Sequence, residues 1–168
     1  MGIPSGYTSA QVVQAVPTGV GVLQQVYSQT GALQTGTTTI PLDDTIPQNT
    51  EGNEYLSLAI TPKISTSKLV IDVVAFCSYS VAGYIIASLF QDSTANALAA
   101  VAQYQATGTG TVVLKFTYQM TSGTTSATTF KVRMGSSTAG TLTFNGASSG
   151  RYFGGVGASS ITITEYVV

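Results

Sequence analysis

The sequence contains no histidine, no tryptophan and a single cysteine, Cys77. The lack of histidine removes the commonest general base and the commonest metal ligand. A zinc site would then need at least three converging carboxylates. One cysteine allows no disulfide within the chain, and its apolar neighbours indicate a small buried side chain. We therefore expect a protein that is not an enzyme and has no catalytic residues, no cofactor and no metal.

Charge is also scarce. Charged residues make up 8% of the sequence, against about a quarter in an ordinary soluble domain. The six basic residues are scattered, so no patch can neutralise several phosphates of a nucleic acid. No apolar run approaches a bilayer span, and the N-terminus MGIPSGYTSAQ lacks the pattern of a secretory signal. We expect no nucleic-acid or membrane partner, and a Thr-, Ser- and Gln-rich surface that suits packing into an assembly.

The acidic residues leave two alternatives open. Four of them lie in the segment LDDTIPQNTEGNE, at Asp43, Asp44, Glu51 and Glu54. Such an oxygen-rich loop suits a calcium ion, although its spacing matches no known calcium loop and solvated turn residues are the simpler interpretation. A carboxylate pair could also serve a glycan-degrading enzyme, with Asp72 or Asp92 as residues to test. Nothing in the sequence selects such a pair.

From Val20 onward the sequence alternates between apolar and polar residues, which is typical of strands with one buried face. The clearest segments are Glu54–Ile60, Thr111–Met120, Thr128–Met134, Thr141–Phe144 and Ile161–Val167. Turn-forming Gly, Asn and Ser separate them. We also assign Ala95–Tyr104 to a strand, despite its alanines. The pattern predicts an all-β, jelly-roll-like antiparallel β-sandwich of about nine or ten strands over residues 20–168.

Two segments, Leu69–Phe76 and Tyr84–Phe90, are apolar on both faces. A strand that is buried on both sides requires a second covering surface. No helix in the sequence can supply one, so another subunit is the natural candidate and long loops are the alternative.

Residues 1–19 form a separate N-terminal docking arm in this interpretation. Thr8 or Ser9 can cap a short helix that is too short to be stable alone in water. It must therefore lie on its own domain or on a partner. The residues expected to make a docking contact are Ile3, Pro4, Tyr7, Val12, Val13, Val16 and Pro17.

Tyrosine suits interfaces because it combines rigid area with a polar tip. Six tyrosines fall at strand ends or outward positions, namely Tyr7, Tyr27, Tyr55, Tyr79, Tyr104 and Tyr152. The segment RYFGG places a cation beside two aromatic rings in a long loop. Arg151, Tyr152 and Phe153 are therefore the candidate ligand-contact loop.

Three segments, Thr61–Lys68, Ser126–Val132 and Ser159–Tyr166, resemble motifs of a β-domain that recurs in phage virion proteins. The likeness spans most of residues 22–168. It implies a trimeric, jelly-roll-like domain of the kind found in capsid decoration or cement proteins, head fibres and tail-fibre tips.

The short arm favours a decoration or head-fibre protein on the head exterior, made in the host cytoplasm. Its partners would be two further copies in a homotrimer and the major capsid protein or another virion protein. The alternative is a tail-fibre or receptor-binding tip that recognises host glycan through the aromatic loop.

Overall fold

The computed structural model describes residues 21–167, and this part of the chain is built from β-strands. The strands are β1 (Gly21–Thr30), β2 (Gln34–Gly36), β3 (Asn53–Ile60), β4 (Lys68–Tyr79), β5 (Gly83–Gln91), β6 (Ala99–Gln105), β7 (Thr111–Thr121), β8 (Thr128–Ser136), β9 (Leu142–Phe144), β10 (Gly146–Ala147), β11 (Gly150–Arg151) and β12 (Ser159–Val167). Phe153–Gly155 form one 3₁₀ turn. Every predicted strand is present, although β6 begins at Ala99, four residues after the predicted start at Ala95. The count exceeds the expected nine or ten because four strands have three residues or fewer.

Eight long strands form two antiparallel sheets that pack into a sandwich. The first sheet has the order β1-β12-β4-β7, with β9 and β2 attached at one end, and the second has the order β3-β8-β5-β6. When the long strands are numbered along the chain, the sheets read 1-8-3-6 and 2-7-4-5. This is the strand order of a jelly roll, so the predicted fold class is confirmed.

The core lies between the two sheets, where alternate residues of each strand meet. Five alternate side chains of β4 are completely buried, while the intervening residues are half-buried on the outer face. Burial of such apolar side chains stabilises the fold by roughly 1.5–3 kcal/mol each. The largest contributions to the core come from β4, β5, β8 and β12, through residues such as Ile71, Leu89, Phe130 and Ile163.

The two segments predicted to be buried on both faces behave differently. Strand β5 is buried on both sides, but the cover comes from residues 37–52 of the same chain. Ile40 of this covering loop is fully buried, and its N–H donates to the Ser136 carbonyl at 3.1 Å. Gly135 has no side chain, which lets the loop lie directly on β8. For Tyr84–Phe90 the structure therefore shows the second of the two alternatives, a long loop of the same chain as the cover.

The outer face of β4 has no such cover within the described residues. Val70, Asp72, Val74 and Phe76 point outward and are half-buried by their neighbours in the sheet. The Thr117 hydroxyl of β7 donates a hydrogen bond to the Asp72 carboxylate. The first sheet therefore presents a broad outer face.

Two of the tyrosines predicted to lie at strand ends or outward positions are core residues. Tyr55 is buried and its ring lies 5.0 Å from that of Phe144. Tyr79 is also buried, and its hydroxyl donates to the Thr138 carbonyl at 2.6 Å. Tyr27, Tyr104 and Tyr152 are exposed as predicted. Tyr7 lies outside the described residues.

The turn between β3 and β4 folds around the buried carboxylate of Glu165 in β12. That carboxylate accepts hydrogen bonds from the backbone N–H groups of Lys63 and Ile64, from the Ser67 hydroxyl and from the Gln24 amide. The segments Thr61–Lys68 and Ser159–Tyr166, which carry two of the three motifs, thus meet at one side chain.

Candidate binding loop

The loop that contains the predicted contact residues connects β9 to β12, two strands that pair with the same side of β4. Phe144 of β9 pairs with Cys77, and Ser160 of β12 pairs with Val74. Strands β9 and β12 therefore follow one another along the same side of β4. Residues 146–158 lie between these two strands and project from the sheet. We call this segment the aromatic loop.

Asn145 closes the base of the aromatic loop. Its side-chain amide donates to the carbonyls of Thr30 and Ala32, both at 2.9 Å, and its amide oxygen accepts from Ser159 at 2.7 Å. Its backbone N–H donates to the Phe76 carbonyl at 2.8 Å. Because Asn145 is fully buried, one side chain ties together both ends of the loop and the end of β1.

The tip of the loop exposes apolar side chains. Phe153 and Val156 are 71% and 86% exposed, and Tyr152 is 38% exposed. The Tyr152 ring lies 6.4 Å from the ring of Phe76 and 5.9 Å from that of Phe153. A row of three rings therefore runs from the outer face of β4 to the loop tip, with Val113 paired to Phe76 beside it.

Positive φ angles are concentrated in the aromatic loop and at its base. Four of the five non-glycine residues with positive φ in the described chain lie within residues 145–158, at Asn145, Ser148, Ser149 and Phe153. The two serines form the turn of the β10–β11 hairpin, where positive φ at both central positions is normal. Phe153, with φ of 53°, is different because a left-handed conformation costs such a residue about 1–2 kcal/mol. Strain of this kind concentrates at functional sites.

The structure brings Arg151, Tyr152 and Phe153 together in this loop, and their role in ligand contact stays a prediction. Val156 was missed, although its position between glycines in GGVG hinted at an exposed turn residue. The predicted arm residues Ile3, Pro4, Tyr7, Val12, Val13, Val16 and Pro17 lie outside the described residues.

The acidic loop uses its carboxylates to hold turns. Asp43 accepts hydrogen bonds from the hydroxyl and the N–H of Thr45, which together lower the pKa of this exposed carboxyl. Glu51 accepts a backbone N–H at 2.9 Å within the same loop, and Glu54 forms a 3.5 Å ion pair with Lys131. Among residues 21–167, no three acidic or cysteine side chains are grouped so as to hold a metal ion.

The two acids considered for catalysis lie apart and are engaged locally. Asp72 bonds to Thr117 on the outer face of the first sheet. Asp92, at the end of β5, accepts from the Thr128 hydroxyl and the Thr129 N–H, both at 2.8 Å. Such contacts give each carboxylate a structural task.

A groove lies on the outer face of the second sheet, between the covering loop and β6. Its cavity volume is about 380 Å³. A second cavity of about 180 Å³ lies between the covering loop and the residues Ile86 and Ala100–Ala102. The groove is lined by Asp43, Asp44, Ile46 and Pro47 on one side and by Ala97–Ala100 on the other. The small alanine side chains leave the space open.

No helix in the described part of the chain is long and apolar enough to cross a membrane. No protein-family model matches the chain, and no curated protein matches it.

Three solved structures are weakly similar to this chain. Dimeric latent PorU of Porphyromonas gingivalis is 9% identical, covers 83% of this chain and 13% of its own, and gives a TM-score of 0.41. A structure of the Gx strain of infectious bursal disease virus is 16% identical, covers 86% and 40%, and gives 0.40. Tailspike protein 4 of bacteriophage CBA120 is 13% identical, covers 71% and 18%, and gives 0.29. The chain thus spans 13% to 40% of these proteins, and such matches assign it neither a family nor a function.

Proposed function

We propose that this chain is a structural protein of a bacteriophage particle, a capsid decoration or head-fibre protein that docks on the head exterior. The observation that carries the proposal is a jelly-roll sandwich with an almost neutral outer face. Only Lys68, Asp72 and Lys115 bring charge to the outward positions of the four long strands of the first sheet. A neutral surface does not repel neighbouring copies, and so supports a role inside an assembly.

In this proposal residues 1–19 lie on the shell and the sandwich stands above it as a homotrimer. Val12, Val13 and Val16 supply the apolar contact of each arm. A single short arm binds weakly, but three linked arms raise the avidity by roughly 10²–10⁴ over one arm. The role is non-enzymatic and requires no cofactor or metal.

Binding to capsids that lack this protein tests the proposal. The full chain should co-sediment with such capsids, and a chain without residues 1–19 should remain in the supernatant. A triple change of Val12, Val13 and Val16 to serine should have the same effect. Thr8→Ala keeps these three valines and the alternative cap Ser9, so this variant should still co-sediment with the capsids. Undiminished capsid binding without the arm would overturn the proposal.

The position in the particle is tested separately, by cryo-electron microscopy of whole virions. Density for the sandwich on the head, with residues 1–19 against the shell, is the expected result. Density at the tail would contradict the head location and direct attention to receptor binding.

The aromatic loop supports a receptor-binding tip as the second candidate. Exposed rings at Tyr152 and Phe153 offer apolar platforms, and the Arg151 guanidinium offers several hydrogen-bond donors to sugar hydroxyls. Glycan binding by the full chain, lost in Tyr152→Ala and Phe153→Ala, would favour this role. Tyr104→Ala is the control, because the exposure of Tyr104, 55%, lies between the 38% of Tyr152 and the 71% of Phe153, and Tyr104 lies in β6.

A further inference from the structure

The aromatic loop forms an apolar projection with a cation at its base. Phe153 and Val156 extend into solvent, and Arg151 packs over Gly155, with its Nη1 atom 3.1 Å from where a Cβ would lie. Gly31 leaves room for the Gly155 carbonyl to pack directly on the end of β1, which fixes the loop on the sheet. Exposed apolar side chains that are grouped on one projection favour an interaction site.

The groove beside β6 carries charge of the opposite sign. It is concave and lined by Ile46, Pro47 and alanines, and it carries two carboxylates, Asp43 and Asp44. The exposed side chain of Ile46 adds apolar area to the rim.

Neither the cation of the projection nor the carboxylates of the groove form an ion pair in the part of the chain that the structure describes. Among residues 21–167 the ion pairs involve only Glu54, with Lys131 and Arg133. Arg151 therefore has no carboxylate partner there, and Asp43 and Asp44 have no cationic partner. The projection lies on the outer face of the first sheet and the groove on the outer face of the second. A contact between them must join two molecules.

We propose that the aromatic loop of one copy occupies the groove of a second copy. Phe153 and Val156 pack against Pro47 and the alanines of β6, and Arg151 pairs with Asp44. Each copy gives one projection and receives one, so the contact is heterologous. Such a contact closes into a ring when successive rotations add to a full turn, and it otherwise extends as an open chain. The inference rests on the proposed function in one respect, because this contact would hold the proposed trimer together.

Sedimentation of the full chain with charge-reversed variants tests the pairing. Arg151→Glu and Asp44→Arg should each weaken self-association at least 10-fold, and the double variant should recover most of the loss. Asp44 is preferred to Asp43, which holds a turn through Thr45. Lys68→Glu is the control. Lys68 lies opposite Thr121, at the end of β4 that is far from Phe76, so this variant should associate like the unchanged chain.

The apolar contact is tested with Phe153→Ser and Val156→Ser. Both side chains are exposed, so the fold should persist by circular dichroism while association falls at least 10-fold. A cysteine pair, Val156→Cys with Ala100→Cys, should give a disulfide between copies, and neither single variant should.

A monomeric unchanged chain at all concentrations would overturn the inference. So would full association in the serine and charge-reversed variants, which would leave the projection open to a different partner such as glycan. Capsid binding through residues 1–19 is measured separately, so failure of one proposal is distinguishable from failure of the other.

Discussion

The carboxylate of Glu165 accepts a 2.6 Å hydrogen bond from the hydroxyl of Ser67, a residue 98 positions away in the chain. Lys63, Ile64 and Gln24 donate to the same carboxylate. No lysine or arginine side chain in the described part of the chain pairs with it. A fully buried anion is thus held by hydrogen bonds alone, and it joins β1, β12 and the turn before β4. Its task is to fix the turn rather than to perform chemistry.

Replacement of this carboxylate should be costly. Glu165→Gln places an amide group among donors and leaves at least one of them unsatisfied, so we expect the free energy of unfolding to fall by about 3 kcal/mol. Urea denaturation measures the change. Glu54→Gln removes only a surface ion pair and should cost less than about 1 kcal/mol. Equal losses in the two variants would contradict the role assigned to Glu165.

The same residue should make stability depend on pH. Burial by itself raises the pKa of Glu165, but hydrogen bonds from Ser67, Lys63, Gln24 and Ile64 outweigh it and hold the pKa below its ordinary value. The unfolded chain then binds the proton first as the pH falls. The contribution is complete well above the unfolded pKa of about 4.3 and disappears as the pH falls through the lower folded value.

The measurement is the difference in unfolding free energy between the unchanged chain and Glu165→Gln from pH 7 to pH 3. This difference should be constant above about pH 6 and shrink below about pH 4.3. Asp43 also has a lowered pKa, but it is present in both proteins and so cancels. A difference that grows in acid would refute the assignment.

The sandwich could be predicted because its strands follow period two, and each alternating segment became a strand. Tyr55 shows where the rule stops. A bulge between Glu54 and Leu56 breaks the alternation, so Tyr55 and Leu56 are both buried. A bulge depends on pairing with the partner strand, and β3 contains no glycine that would have indicated one.

The candidate site was predictable only in part, because its geometry depends on pairing between distant segments. RYFGG identified the loop by composition alone. That β9 and β12 share one side of β4, which makes residues 146–158 project from the sheet, follows from pairing with Cys77 and Val74. The groove lies between the covering loop and β6, which are about fifty residues apart in the chain, so no local sequence pattern predicts it.

Asn145 should control the order of the aromatic loop. Asn145→Ala removes three side-chain hydrogen bonds and places alanine at a φ of 61°, so we expect a loss of about 3 kcal/mol. Asn145→Gly also loses the bonds but tolerates the φ, and should be about 1 kcal/mol less damaging. Chymotrypsin should cut both variants faster after Tyr152 or Phe153. Unchanged cleavage would show that the loop is held by other contacts.

The thiol of Cys77 should be inert in the folded protein. Burial raises its pKa to about 12, compared with about 8.5 for a free cysteine. At pH 8 a thiol reagent should therefore react at least about 10-fold more slowly with the native chain than with the chain in 8 M urea, because the buried thiol is both protonated and inaccessible. The absorbance change on disulfide exchange gives both rates. Rapid reaction in the native state would show that the core opens readily around β4.

The covering loop should be needed for the second sheet to remain stable. Ile40 is fully buried against Gly52 and Gly135, so Ile40→Ala leaves a cavity and should cost about 3 kcal/mol. Leu42, in the same loop, is 51% exposed, and Leu42→Ala should change stability by less than about 0.5 kcal/mol. Loss of Ile40 should also loosen the loop over Ile86 and Phe90, and a dye that binds exposed apolar surface should report this below the unfolding transition. If Ile40→Ala lowers stability without added dye binding, the loop stays in place, and the cavity accounts for the whole effect.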